Sequence, residues 1–155
     1  MKLLLAVDPE SAHAVGAAAR RLFPDAEHVI FNTIALMPTV LPETMATGAT
    51  VAIPTESAML AAEVDSEAAI EGALDELAGA DTSTASTIGD PGREICDEAD
   101  AIAADVIVLG RSSRGWLSRL VAPSVTEHVI RHAHCPVLVV GHDGTADGEP
   151  EPVPR

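Results

Sequence analysis

A loop rich in glycine, serine and arginine holds the residues best suited to chemistry. The sequence GRSSRG begins at Gly110, directly after the apolar run Val106–Leu109, and Pro123 and Ser124 follow at the start of a predicted helix. Backbone N–H groups, hydroxyl groups and the positive end of a helix together suit phosphate oxygens. The hydroxyl groups belong to Ser112, Ser113 and Ser124. A solvated strand-to-helix loop has the same composition, so spacing alone leaves both interpretations open.

The net charge of the chain limits the classes of partner that can be expected. The chain has 24 acidic and nine basic residues, a net charge of −15, and its single lysine is Lys2. Such a surface repels nucleic acid, so DNA and RNA are not expected as partners. An acidic chain that keeps arginine and nearly excludes lysine suggests a halophilic protein in a salt-rich cytosol, where salt screens self-repulsion. Arg111, Arg114 and Arg119 lie within or just after the GRSSRG loop, where they would create a local positive field.

The histidines and cysteines suggest structural roles. His128 and His132 stand four apart on one predicted helix, with His134 and Cys135 just beyond, but no carboxylate partner is evident and the pattern fits zinc geometry poorly. We therefore predict no metal site. Cys96 and Cys135 have no disulfide-framework spacing and are expected to be small core residues. His13 and His28 are expected to be exposed or capping.

Hydrophobic patterning predicts alternating strands and helices. Continuous apolar runs indicate buried parallel strands, and amphipathic stretches with a capping residue indicate helices. Strands are predicted at 3–7, 29–34, 82–88, 105–110 and 136–141, and helices at 12–22, 55–77, 93–103 and 124–132. Ser11 is the predicted N-cap of the first helix. The segment 37–54, with three prolines, is predicted as a long loop.

Alternating strands and helices predict a layered α/β/α arrangement around a mostly parallel sheet. In such sheets ligands bind beyond the carboxyl ends of the strands, where the strand order reverses. Asp8 follows the first predicted strand and residues 110–115 follow the fourth, so both would lie at that edge.

The last third of the chain resembles the universal stress protein family. The resemblance is carried by residues 106–125 and by the segment TEHVIRHAHCPVLVV, residues 126–140, and continues at Val7-Asp8 and at Gly89-Asp90-Pro91. It implies a three-layer α/β/α sandwich with a five-stranded, mostly parallel sheet of order 3-2-1-4-5, like that of the adenine nucleotide alpha hydrolases. It also implies one domain over residues 1–141. The tail at 142–155 is acidic and rich in proline and glycine, and this composition predicts that it is disordered.

Each position of the family's ATP-binding motif can be matched to a residue of this sequence. The resemblance implies ATP or another adenine nucleotide, with Mg²⁺, as the ligand. It implies Asp8 and Thr33 near the base, Leu109 and Gly110 under the ribose and phosphates, Ser112 and Ser113 in the loop, and Ser124 with Val125 at the helix start.

Two of the motif's three glycines are replaced. Ser113 stands at the second glycine and Pro123 at the third, and proline offers no N–H group to a phosphate. These replacements argue against tight ATP binding. Two functions therefore stay open: a dimeric stress-response domain with an adenine nucleotide as regulatory ligand, or a nucleotide-independent interaction module that presents the 37–54 loop and Trp116 to an unknown protein.

Catalysis is not expected. No nucleophile stands beside a base, and the loop and histidine motifs of pyrophosphatase-type synthetases do not occur. A phosphoacceptor receiver domain is not expected either, because it needs a lysine late in the fold and the single lysine of this chain is Lys2. The short apolar N-terminus and the lack of a long apolar run predict a cytoplasmic protein without a membrane segment.

The last predicted strand suggests self-association. Val137–Val140 carries no charge, so at a sheet edge it would be prone to aggregation unless covered. Pairing with the same strand of a second copy covers it, and the resemblance implies the same. We therefore expect a homodimer through Val137–Val140.

Overall fold

The computed structural model describes residues 1–35, 56–111 and 125–141. Five strands alternate with four helices in this part of the chain. The strands are β1 (Lys2–Ala6), β2 (Glu27–Ile34), β3 (Thr82–Ile88), β4 (Val106–Gly110) and β5 (Val137–Val140). The helices are α1 (Ala12–Leu22), α2 (Glu56–Glu76), α3 (Pro91–Ala101) and α4 (Val125–His132).

The five strands form one sheet in the order β3-β2-β1-β4-β5, which confirms the predicted fold. Every neighbouring pair is parallel; Ala6 is in register with Phe31 of β2 and with Leu109 of β4. The order reverses at β1, which lies in the centre with β2 on one side and β4 on the other. Ligands of such sheets bind at the carboxyl ends of the strands beside this reversal.

Each face of the sheet carries its own hydrophobic core. Leu3, Leu5 and Val108 face α1 and α2, whereas Leu4 and Ile107 face α3 and α4. Successive side chains of a strand point to opposite faces, so a strand covered on both sides is apolar throughout. This explains why β1 and β4 were predicted from their composition alone.

Helix α1 begins differently from the prediction. Ser11 occupies the N-cap position, as expected, but its side chain makes no capping hydrogen bond. The carboxylate of Asp8 accepts bonds from the N–H groups of Glu10 and Ser11 instead, both at 2.9 Å. Asp8 thus closes the turn that leads into the helix.

Helix α3 begins two residues earlier than predicted, at Pro91. Asp90 is its N-cap, and the Asp90 side chain accepts a bond from the Arg93 N–H at 3.0 Å. Proline suits the first helical position because its missing N–H would have no partner there.

The predictions made for the 37–54 loop, for Trp116 and for the tail at 142–155 lie outside the described residues. In the part of the chain that is described, no helix is both long and apolar enough to cross a membrane.

Candidate functional site

The carboxyl edge of the sheet collects five of the predicted ligand-binding positions. Asp8 follows β1, Thr33 lies near the end of β2, and Leu109 and Gly110 end β4. Val125 opens α4, as the resemblance implied. Strand alternation places Thr33 on the same face as Phe31 and therefore on the α3 and α4 side, where Leu109 also packs. The structure thus gathers Thr33 and Leu109 on the face that α4 covers.

Asp8 holds the exit from β1 in a fixed turn. Its Oδ1 atom accepts the two backbone bonds that lead into α1, and its side chain is exposed. Its Oδ2 atom has no hydrogen bond to the described residues. One carboxylate oxygen therefore fixes the turn while the other can accept a bond from a ligand.

Thr33 carries an unsatisfied hydroxyl group. Its Oγ1 atom is buried and has no hydrogen-bond partner among the described residues. A buried hydroxyl without a partner costs about 1 to 3 kcal/mol, so such atoms often mark a place where another molecule supplies the bond. The position of Thr33 near the base was implied by the resemblance; its missing partner could not be seen in the sequence.

Asn32 supports this edge and was not singled out from the sequence. Its buried side-chain amide donates a bond from Nδ2 to the carbonyl oxygen of Val7 at 2.7 Å. The Val7 N–H donates in turn to the carbonyl of Phe31 at 3.0 Å. These two bonds hold the chain that leads to Asp8 against β2. The sequence feature that could have identified Asn32 is its polar side chain within the apolar run of β2.

Gly110 is required by packing against α1. A Cβ atom at this position would overlap the Cβ of Ser11 and lie 2.7 Å from its Oγ. The glycine therefore allows the start of α1 to pack directly against the end of β4.

All four helices that the structure describes begin toward this edge of the sheet. Each follows a strand of the parallel sheet and leads to the next, so its first N–H groups and positive dipole end lie toward the carboxyl end of the strands. The N–H of Arg111 donates to the carbonyl of Val140 at 2.8 Å, which continues the pairing of β4 with β5 up to this point. Together these ends provide a favourable field for an anion.

The remaining predicted positions, Ser112, Ser113 and Ser124, lie outside the described residues, as do Arg114, Arg119 and Pro123. Their part in a phosphate loop stays a prediction.

The histidines of α4 contact each other and the rest of the fold. The rings of His128 and His132 stack with centroids 4.2 Å apart, and His132 Nδ1 lies 2.8 Å from the carbonyl oxygen of His128. His134 Nδ1 lies 3.0 Å from Asp100 Oδ2, within hydrogen-bond distance. Within the described residues, no three His, Cys, Asp or Glu side chains converge as a metal site would require.

The cysteines behave as the sequence suggested. Cys96 is buried and Cys135 packs against the same core, and neither forms a disulfide. Burial raises the pKa of both thiols, and the charge of nearby Asp100 adds to the shift. A raised pKa leaves each thiol with less of the reactive thiolate form than a free cysteine has.

His28 differs from the prediction. It was expected to be exposed or capping, but its side chain is fully buried, and in the part of the chain that is described neither ring nitrogen has a hydrogen-bond partner. Burial lowers its pKa, although backbone groups of Asp81, Phe23 and Ala19 oppose the shift. His28 belongs to the amino half of β2, far along the strand from Thr33, and takes no part in the candidate site.

Sequence comparison finds short stretches of similarity to curated universal stress proteins. The chain is 48% identical over 52 residues to one from Methanocaldococcus jannaschii, a stretch that covers 34% of this chain and 31% of that protein. It is 43% identical over 53 residues to one from Synechocystis, covering 34% of this chain and 49% of that protein. The aligned stretches thus span less than half of these relatives.

Solved structures share the fold over most of the chain. A universal stress protein from Archaeoglobus fulgidus matches with a TM-score of 0.58 at 23% identity, covering 90% of this chain and 97% of that one. The UspA protein of Lactobacillus plantarum matches with a TM-score of 0.61 at 20% identity, covering 90% and 96%. A family protein from Arabidopsis thaliana, solved with AMP bound, matches with a TM-score of 0.57 at 17% identity, covering 91% of each chain.

The model of the family described as "Universal stress protein family" matches residues 1–141. This match spans every described strand and helix, including the edge where Asp8, Thr33 and Gly110 lie. The chain therefore belongs to the universal stress protein family.

Proposed function

We propose that this chain is a regulatory binding protein that takes an adenine nucleotide at the carboxyl edge of β1, β2 and β4. The buried, unpartnered hydroxyl group of Thr33 carries the proposal, because a bound molecule would supply the bond that it lacks. Structural neighbours solved with cAMP, with dAMP and with AMP support the choice of ligand.

The residues at this edge suit the parts of such a nucleotide. The free carboxylate oxygen of Asp8 can accept a bond from the exocyclic amine of adenine, and guanine presents a carbonyl oxygen at the same place. Leu109 and Gly110 can face the ribose and phosphates through their backbone groups, because the Leu109 side chain is buried in the core and Ser11 occupies the side-chain position of Gly110. The N–H group of Val125 at the start of α4 suits a phosphate oxygen.

The replaced glycines favour a nucleotide with few phosphates. Ser113 and Pro123 stand where the family motif has glycine, and both reduce what the loop can offer to a phosphate chain. The base-side residues Asp8 and Thr33 do not depend on that loop. We therefore propose AMP or cAMP as better ligands than ATP, with Mg²⁺ needed only by the triphosphate.

Isothermal titration tests this order of affinity. AMP, cAMP and ATP with Mg²⁺ are titrated at low and at molar KCl, with GMP as the matched control for the base. We expect heat of binding with the adenine monophosphates, less with ATP and none with GMP. No heat with any adenine nucleotide, or equal heat with GMP, would overturn the proposal and favour a nucleotide-independent interaction module.

We further propose that two copies pair through β5. This strand lies at one end of the sheet order, and Val137, Leu138 and Val139 are only half-buried in the single chain. The N–H of Ile107 donates to the Pro136 carbonyl at 3.0 Å, as the N–H of Arg111 does to Val140. Since bonding alternates along parallel strands, Val137 and Val139 direct their backbone groups away from β4, toward a partner strand.

Analytical ultracentrifugation of Val139→Pro tests the dimer. Proline removes the outward N–H of residue 139 and leaves the bonds to β4 in place. We expect wild type and Val139→Ala, which keeps the N–H, to sediment as dimers, and Val139→Pro to sediment as a folded monomer. A wild-type monomer, or a Val139→Pro dimer, would refute pairing through β5.

The proposed role is binding without turnover, in a stress-response setting within the cytoplasm. The described part of the site contains no nucleophile beside a base, so a bound nucleotide has no group there to attack it. Phosphorus NMR of ATP and AMP incubated with the protein should show both unchanged. Release of phosphate that scales with protein concentration would contradict a pure binding role.

A further inference from the structure

Helix α2 is packed on one side only and leaves apolar residues on the other. Its buried residues are Ser66, Ala69, Gly72 and Ala73, all in its second half. Leu60 and Val64, one turn apart, are 62% and 56% exposed. Exposed apolar side chains on neighbouring turns of one helix, rather than scattered singly, indicate a contact surface.

The outer side of α2 combines an apolar ridge with an acidic one. Residues four apart form a ridge along a helix. One ridge consists of Leu60, Val64 and Ala68, all exposed. The neighbouring ridge consists of Glu63, Glu67, Glu71 and Asp75, also all exposed. We call these seven residues the α2 surface.

Among the described residues, the carboxylates of the α2 surface have no counter-charge. Helix α2 contains no lysine or arginine, and its Glu76, outside this surface, lies 3.4 Å from His13 Nδ1. Two other helices each contain an arginine paired with an acid four residues away: Arg93 pairs with Asp97 on α3, and Arg131 pairs with Glu127 on α4. Like charges four residues apart destabilise a helix, so the acidic ridge destabilises α2 as long as no partner supplies positive charge.

We propose that the α2 surface docks an amphipathic helix of another protein that carries lysine or arginine beside an apolar stripe. The partner's apolar stripe would cover Leu60 and Val64, and its cations would neutralise the row from Glu63 to Asp75. A second copy of this chain does not fit, because two acidic ridges would repel each other. This inference does not depend on nucleotide binding.

A designed peptide probes the surface directly. The probe is a Leu/Lys peptide with leucine at helical i, i+4 spacing, and its control has the same composition in scrambled order. Titration into nitrogen-15-labelled protein, followed by NMR, reports which residues are contacted. We expect chemical-shift changes concentrated on α2 with the helical peptide, and weak, dispersed changes with the scrambled one.

Paired variants separate apolar contact from overall charge. Leu60→Gln with Val64→Gln removes the apolar ridge without altering charge, and should weaken peptide binding about tenfold or more. Ile130→Gln, at a helical position 57% exposed on α4, is the matched control and should bind like wild type. Glu67→Gln with Glu71→Gln should weaken binding and flatten its dependence on salt.

Two results would overturn the proposal. If the scrambled peptide binds as tightly as the helical one, or if the Leu60 and Val64 variant binds like wild type, the attraction comes from net charge and not from a built surface. If the same variant changes the sedimentation of the protein alone, a second copy occupies the surface instead. Circular dichroism of each variant establishes that it is folded.

Discussion

Gly110 lies against Ser11 so closely that no side chain fits between the end of β4 and the start of α1. The first glycine of the nucleotide motif is therefore fixed by packing as well as by any ligand. Ser11 in turn belongs to the turn that Asp8 holds through its carboxylate. One contact thus positions both sides of the strand-order reversal at which the proposed ligand binds.

Gly110→Ala should destabilise the protein by about 2 kcal/mol, because the added methyl group overlaps Ser11 and forces α1 or β4 to shift. Ser11→Gly removes the overlapping Cβ, and glycine is tolerated at an N-cap. The double variant should therefore recover most of the loss, giving a clear coupling energy in urea unfolding. Equal destabilisation with and without Ser11→Gly would mean that the two residues do not meet.

Thr33→Val should separate stability from binding. Without ligand, removal of the unsatisfied hydroxyl should stabilise the fold by about 1 kcal/mol. With an adenine nucleotide, the same change should lower affinity, because the hydroxyl can no longer bond to the ligand. Thermal unfolding and calorimetric titration measure the two effects. Thr84→Val, exposed on β3, is the control and should change neither; a Thr33→Val protein that binds like wild type would exclude the hydroxyl from the site.

Asp8→Asn should change base preference while keeping the turn. The amide oxygen can still accept the bonds from Glu10 and Ser11, and the amide nitrogen replaces the free carboxylate oxygen by a donor. Adenine nucleotides should then bind about tenfold more weakly, and GMP should gain relative affinity. Competition titration of AMP against GMP measures the ratio. An unchanged ratio would place the base away from Asp8.

KCl should stabilise the protein through its unpaired acids. Glu67 and Glu71 are four residues apart on α2 without a cation between them, and added salt screens their repulsion. The free energy of unfolding should therefore rise with KCl in the wild type. Glu67→Gln with Glu71→Gln should be more stable than wild type at low salt and rise less steeply. Stability that is flat or falls with KCl would remove the halophilic interpretation.

Most of the fold could be predicted because local signals and global topology agree. The continuous apolar runs of β1 and β4 indicate burial on both faces, and the resemblance implied the order that the sheet shows. Even β3, with serine and threonine in place of large apolar residues, was placed at its observed bounds because β-branched residues favour strands.

The details of the site could not be predicted because they depend on neighbours distant in sequence. Ser11 matched the N-cap preference, but its hydroxyl accepts a bond from the N–H of Asp8 at 3.4 Å and none from the helix, while the Asp8 carboxylate accepts the N–H of Ser11. The missing partner of Thr33 is a property of its surroundings and not of threonine. His28 likewise stands in an ordinary strand sequence, and its full burial depends on the packing around its face of the sheet.

His28 should make the protein less stable in mild acid. The unfolded chain protonates this residue below about pH 6.5, its ordinary pKa, whereas burial lowers the pKa in the folded state. The charge of nearby Asp81 acts in the opposite direction but is the smallest contribution. The unfolded state therefore binds more protons between the two pKa values, and stability falls as the pH drops through that range, by up to about 1.4 kcal/mol per pH unit.

His28→Leu should flatten this pH dependence, because leucine removes both the proton uptake and the two unpartnered ring nitrogens. Urea unfolding between neutral pH and the range where carboxylates titrate measures the slope. His132→Gln, an exposed histidine on α4, should keep the wild-type slope. If the stability of His28→Leu falls with pH as steeply as that of the wild type, the acid sensitivity comes from other titrating groups and not from His28.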